Sequence, residues 1–378
     1  MIYVSNPVGQ TWAFGIIFVT ALILSTKIIK KHKVFPNSVT QELKGFAILA
    51  IIFAHIGYIL STNQRFLWPF SIMAGIGVNL YLFLSGYGLS MSSLKKPLTP
   101  LRFYKKRLLS LYLPFWVTLF IFIVLDLILL SRTYSFSDIT KAFLGIFQTA
   151  DINYTLNSPL WFFTLIIAYY LVFPLIFMKK RLWLSSIVLI VLGYWLVHSD
   201  LSWMNDINRL YKVHYLAFPL GMLLAWLVSS KNIVSNKFNL FISGLRGYFS
   251  ERTKSNLLLC VSLLIILVFL IAYGAYHSFA GTGTYKEQLV SLLVMFGIII
   301  LFVLKKIQIG MLYIFGLYSY EVYLLHWPIM SRYDFLYPIL PPWLATIAYL
   351  ALFLGLGWGL NRMTIFIFSK ARIKSIET

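Results

Sequence analysis

The chain has 378 residues, 60% of them hydrophobic and 11% charged, and 32 Lys and Arg against 11 Asp and Glu give a formal net charge of +21. Soluble domains run at roughly 45–50% apolar and 25% charged, and a soluble fold cannot hide this much apolar surface, whereas a bilayer requires it. The apolar stretches are long and do not alternate, which excludes a membrane β-barrel and predicts helices; the single cysteine, Cys260, excludes an internal disulfide framework.

In chain order, eleven transmembrane helices are expected, near residues 12–29, 43–60, 70–91, 108–130, 159–178, 182–198, 210–229, 256–276, 287–304, 310–330 and 341–363. Most approach the roughly 20 residues that a hydrocarbon core of about 30 Å demands. The first is preceded by uncharged residues and followed by the cluster Lys27 to Lys33. A cleavable signal peptide carries its charges before the apolar run, so this segment reads as a retained anchor. With an outward N-terminus and alternating loops, one side of the membrane holds 25 of the 32 basic residues. They cluster at Lys27 to Lys44, Lys95 to Arg107, Lys179 to Arg181, Lys231 to Lys254, Lys305 with Lys306, and Arg362 to Lys374; the acidic residues there are Glu42, Glu251 and Glu377. The positive-inside rule then places the N-terminus outside and the C-terminus in the cytoplasm of a multi-pass protein of the cytoplasmic membrane. The charge is a topology signal, and nucleic acid is not needed to explain it. The outer loop 131–158 and the inner loop 231–255 are too short for an independent enzymatic domain. Chemistry is expected inside an all-α, polytopic helix bundle.

The helix near 43–60 carries Lys44 and, eleven residues on, His55. That spacing is about three turns, which puts both on nearly one face and roughly 16 Å apart. An imidazole at that depth is expensive and calls for a polar cavity or a partner. It can act as base or nucleophile near neutral pH, or it can simply hydrogen-bond across the bundle. The next helix contains Gly75, Gly77, Asn79, Ser85 and Gly86, small and polar residues suited to close helix contact. The run Arg102, Lys105, Lys106, Arg107 at the membrane surface suits anionic lipid or a phosphate-bearing ligand. Asp126 is a further candidate buried acid. The tenth helix carries Glu321 at membrane depth, with Tyr323 and His326 one turn apart on one face. His32, His198, His214 and His277 read as solvated positions. Gly355 and Gly359 have the spacing of a packed transmembrane pair. No cluster has metal-ligand spacing, so no metal is expected.

Five of these stretches, in this order, resemble the acyltransferase-3 family of membrane O-acyltransferases over nearly all of residues 43–330. Lys44-x10-His55 matches a basic-x10-His first helix. Leu80 to Tyr87, ending Phe83-Leu84-Ser85-Gly86-Tyr87, matches the second. Arg107 to Pro114 looks like the family's basic loop, and Leu160-Trp161-Phe162-Phe163 through Tyr170 to Pro174 matches its Trp-Phe…Tyr…Pro helix. Gly316 to His326 matches a Gly-x-x-Ser-Tyr-x-x-Tyr-Leu-x-His signature. Three departures stand out. Ser110 replaces the basic loop's second arginine; the helix at 12–29 is added to the family's usual ten; and the SGNH hydrolase-like domain of many relatives is missing. On this view residues 1–40 form an extra helix and basic loop, 41–365 the acyltransferase domain and 366–378 a cytoplasmic tail.

The resemblance implies transfer of an acyl group, most often acetyl, from cytoplasmic acyl-CoA to a hydroxyl of a surface polysaccharide or its lipid-linked precursor. His55 is expected as base or acyl carrier. Lys44 is expected to close the cytoplasmic mouth or contact CoA, Glu321 to orient or help charge a histidine, and His326 to stand beside them. Arg102, Lys105, Lys106 and Arg107 are expected on the CoA phosphates, and Asn79, Ser85, Trp161 and Tyr323 on substrate. The implied partners are the glycan acceptor, membrane lipids and a possible partner in polysaccharide assembly. Two other classes stay open at this point: a glycan transporter or flippase, and a non-catalytic member of a polysaccharide synthesis complex.

Overall fold

The computed structural model describes residues 1–28, 35–96, 98–148, 158–199, 207–230, 232–249, 254–278 and 281–374. Lys30, Lys31, His32, Lys33, Lys231, Glu251, Arg252 and Glu377 lie outside the described residues. Among the described residues, nine helical segments are long and apolar enough to cross a membrane. They are α1 (Pro7–Leu24), α2 (Asn37–Ala54) continued by a π turn over His55–Leu60, α4 (Pro100–Leu130), α6 (Trp161–Ile176) and α7 (Leu182–His198). The pair α8 (Asn208–His214) and α9 (Ala217–Ser229), then α11 (Lys254–Tyr276), α12 (Tyr285–Leu304) and α15 (Pro342–Lys374) complete them. Two more helical stretches, α3 (Ala74–Lys95) and the consecutive α13 (Gly310–Leu317) and α14 (Ser319–Arg332), pack among them. The protein is an all-α membrane bundle.

Each of the eleven expected segments falls on a helix, but several ends move. The first runs from residue 7 to 24 because Asn6 caps it, accepting from Gly9 N at 3.1 Å, and Pro7 sits at the first helical position. Pro100, with its fixed φ, starts α4 well before residue 108. The basic run expected in a loop is therefore the first two turns of a helix. The loop 131–158 holds a short helix, α5 (Phe136–Leu144), and the loop 231–255 holds α10 (Ile233–Tyr248), whose Ile233, Val234, Leu240 and Phe241 are exposed.

Between helices in lipid there is no hydrophobic drive, so close van der Waals contact and hydrogen bonds decide the packing. Two contacts are made backbone to backbone. A Cβ at Gly45 would lie 1.8 Å from Leu312 O, and one at Gly316 would lie 1.8 Å from Gln41 O. This locks α2 to α13. Gly86 and Gly221 likewise face Phe218 O and Phe83 O at 2.1 and 2.0 Å, which locks α3 to α9. Gly355 and Gly359 do neither: nothing lies within 4 Å of a Cβ at either position, and Gly357 is the residue that meets α14. The expected packing pair of α15 is thus replaced by its middle glycine.

The first turn of α13 is tied at the basic end of the bundle. Strand β1 (Thr26–Ile28) pairs antiparallel with β2 (Ile307–Ile309). Gly310 N donates to Ser25 O at 2.8 Å and Met311 N to Ser25 Oγ at 3.1 Å. The fully buried Glu42 accepts from Ile309 N at 2.6 Å and pairs with Lys305 Nζ at 2.5 Å, placing a carboxylate at the helix N-terminus. At the opposite end, buried Asp126 pairs with Arg332 at 2.7 Å and accepts from the hydroxyls of Tyr134 and Tyr333. It ties α4 to α14 and is not exposed to a substrate.

Glu42→Ala should remove the buried carboxylate that Lys305 and Ile309 N share, both part-buried donors, and cost about 3–5 kcal/mol, read as a fall in Tm of the detergent-solubilised protein. Glu42→Gln should recover part of that loss. A Tm unchanged in the Ala variant would show that α13 does not depend on this anchor.

Candidate active site

His55 opens the π turn, in which Ser61 N reaches back five residues to Ile56 O at 3.0 Å. Single π turns of this kind are frequent at functional sites. Gly57 makes room for this one, since a Cβ there would lie 2.4 Å from Phe66 O. The turn places the half-buried His55 ring parallel to the fully buried ring of His326, at 5.0 Å between centroids and 4° between planes. His55 Nδ1 and His326 Nε2 are 2.8 Å apart. Trp327 closes on His55 edge-to-face at 4.9 Å.

The protons of this pair can be assigned from its far end. His326 Nδ1 lies 2.8 Å from Tyr323 O and 3.2 Å from Val322 O. Carbonyl oxygens only accept, so Nδ1 carries the proton and Nε2 of the neutral ring carries the lone pair. His55 Nδ1–H therefore donates to His326 Nε2, and the lone pair of His55 is left on Nε2. The α14 backbone thus fixes the tautomer of a histidine on another helix. This is the arrangement of a base held by an orienting partner.

The other expected residues separate into three groups. Tyr323 packs against the dyad, 6.1 Å from His326 between ring centroids, and its hydroxyl donates to Pro159 O. Towards the basic end, Lys44 is within electrostatic range of Glu321 and Arg107, and Ser85 sits beside the Tyr170 hydroxyl, itself within range of Arg107. Asn79 and Trp161 belong elsewhere. Asn79 joins His214 at 2.8 Å to Ser291 at 3.0 Å, and Trp161 stacks on His214 with 5.6 Å between ring centres.

Glu321 does not orient a histidine. Its Oε1 accepts from Asn361 Nδ2 at 2.6 Å, because five residues of helix turn it about 140° away from His326. The role expected of it falls to the Tyr323 carbonyl. Of the four cations, Arg107 is half-buried on the face of α4 that holds Phe103, while Arg102, Lys105 and Lys106 are exposed. His214 is also corrected: it is buried at 4% exposure rather than solvated, while His198 and His277 are exposed. The reading missed Asn361 and His214. The first could have been found as a lone amide in an apolar helix, whereas the second needed the break between α8 and α9.

A family model described as an acyltransferase domain, that of the acyltransferase-3 family, matches residues 43–362. No curated protein matches the chain, and no solved structure does.

His326→Ala should lower turnover by roughly 10²-fold by releasing the His55 tautomer. The double variant with His55→Ala should be no slower than His55→Ala alone, because members of one catalytic unit are not additive. Losses that multiply would show the two histidines to act separately.

Proposed function

The chain belongs to this acyltransferase family, and from that premise we propose that it moves an acyl group, acetyl in the simplest case, from cytoplasmic acyl-CoA to a hydroxyl of a surface polysaccharide or lipid-linked glycan. The observation that carries this reading is the bare Nε2 of His55, held by His326. His55 Nε2 takes the proton of the acceptor hydroxyl as its oxygen attacks the thioester carbonyl. The C–S bond then breaks, and the CoA thiolate leaves with the proton that His55 returns. While His55 is doubly protonated, its Nδ1–H bond to His326 is charge-assisted and stronger, so the dyad stabilises the charge where it develops.

The donor is taken to enter from the basic end. On this reading all eleven helices span, with the N-terminus outside and the C-terminus in the cytoplasm, as the charge asymmetry of the loops requires. Arg107, with Lys44 behind it, grips the CoA phosphates, and the pantetheine arm runs past Ser85 and Tyr170 towards His55. Glu321, kept in place by Asn361, balances the charge of Lys44 and leaves the histidines to the chemistry. The exposed Arg102, Lys105 and Lys106 contribute long-range attraction.

Arg107→Ala should raise the KM for acetyl-CoA about tenfold, the loss expected for one charge-assisted hydrogen bond. Arg102→Ala should change it far less at physiological salt, because exposed charges are screened. Equal effects would assign all four cations to general attraction. His55→Ala and His55→Gln should each lower transfer to a glycan acceptor by roughly 10²-fold or more, with CoA binding and membrane insertion kept. A Gln variant with near-normal turnover would remove His55 from the chemistry.

A further inference from the structure

A second histidine ends a hydrogen-bonded chain of the same kind. His214, buried at the end of α8, approaches Asn79 Oδ1 through Nδ1 at 2.8 Å. Asn79 Nδ2 donates to Ser291 Oγ at 3.0 Å, and Ser291 Oγ donates to Gln288 O at 3.0 Å. The chain again ends on a carbonyl, so its polarity runs one way: Ser291 uses its proton on Gln288, Asn79 presents Oδ1 to the ring, and His214 Nδ1 carries the proton. Nε2 then holds a lone pair, and no described residue donates to it. One turn earlier on the same face, the buried Tyr211 hydroxyl makes no hydrogen bond of good geometry among the described residues, with Thr164 only at the edge of bonding range. It faces Thr164, whose Oγ1 donates to Gly145 O and accepts from Phe147 N, both at 2.9 Å.

Buried polar atoms are ordinarily paired, and here the Tyr211 hydroxyl, without a well-placed partner among the described residues, and the lone pair of His214 Nε2 meet at one aromatic surface. Trp161 lies against His214 at 5.6 Å and Tyr211 at 6.2 Å between ring centres. Gly75 adjoins the same ring, since a Cβ there would come within van der Waals contact of His214 Cε1 at 3.7 Å. The same tryptophan leads back to the dyad through Phe162 and Tyr323, in ring contacts of 6.3, 5.6 and 6.1 Å. An indole flanked by one hydrogen-bond acceptor and one hydroxyl suits a ring that bears several hydroxyls.

We infer that His214, Tyr211 and Trp161 form a subsite for a hydroxyl-bearing sugar ring of the acceptor, separate from the nitrogen that activates the reacting hydroxyl. His214 Nε2 accepts from one ring hydroxyl, Tyr211 bonds a second, and Trp161 supports the apolar edge of the ring. The inference rests on the reading of the chain as a transferase to a hydroxyl acceptor.

Calorimetric titration of the full chain in lipid nanodiscs with methyl hexopyranosides tests it, beside acyl transfer from acetyl-CoA to the same sugars. His214→Asn keeps an N–H for Asn79 but removes the acceptor at Nε2, and it should weaken glycoside binding about tenfold with acetyl-CoA affinity unchanged. His214→Gln, whose amide reaches the Nε2 position, should recover part of the loss. Tyr211→Phe removes only a hydroxyl without a well-placed partner, keeps the fold intact, and should weaken binding roughly three- to tenfold. Unchanged glycoside affinity in His214→Asn and Tyr211→Phe overturns the subsite, as does a wild type that binds none of the sugars. If binding follows the expected pattern while no acyl group is transferred, the subsite stands and the acyl-transfer reading falls.

Discussion

Helix α2 meets helix α13 without any side chain between them, at Gly45 and Gly316, and the pairing of His55 with His326 follows from that contact. The two helices run in the same direction, and His55 and His326 each lie ten residues beyond the glycine of their own segment. At 1.5 Å per residue both rise about 15 Å and arrive at the same height. A side chain at either glycine would push the helices apart and separate the rings. Ser25 and Glu42, by capping the first turn of α13, prevent it from sliding along α2. The break at Tyr318 and the π turn at His55 then turn the two rings towards one another.

Buried polar groups in this bundle do two different kinds of work. Glu42, Asp126 and Glu321 each meet a cation or an amide and hold helices in register. Removing any of them takes a buried acceptor from its donor, so their value lies in geometry rather than in net attraction. His55 and His214 have the opposite design. One ring nitrogen is fixed by a chain of bonds that ends on the backbone, and the other is left with its lone pair. The fixed nitrogen costs the site its rotational freedom and gives the bare one a defined direction.

Much of this was legible in the sequence, and the limits have physical causes. Apolar length located the helices, because the bilayer sets that length. The spacing of Tyr323 and His326 correctly placed both on one face. Four residues were misjudged. Glu321 was assigned to a histidine although five residues of helix turn it to another face, which the periodicity alone could have shown. His214 was read as solvated because it stands at a helix end; the short α8 tucks that end against Asn79 and Trp161. The pair Gly355 and Gly359 had the right spacing and the wrong face, since spacing fixes which residues align but not what they meet. The pairing of His55 with His326, 271 positions apart, depends on the Gly45–Gly316 crossing and has no local signal.

The chain of bonds through the dyad stops at the Tyr323 carbonyl, and a carbonyl oxygen has no proton to pass on. Charge gained by His55 can spread to His326, but the proton itself leaves only by the nitrogen through which it came. The dyad is therefore a dead-end wire. In a bundle that reaches across a membrane, a relay continuing past His326 would connect two aqueous compartments and let protons run down any gradient between them. Ending it on the backbone lets a pair of histidines sit deep in the bundle without acting as a proton leak.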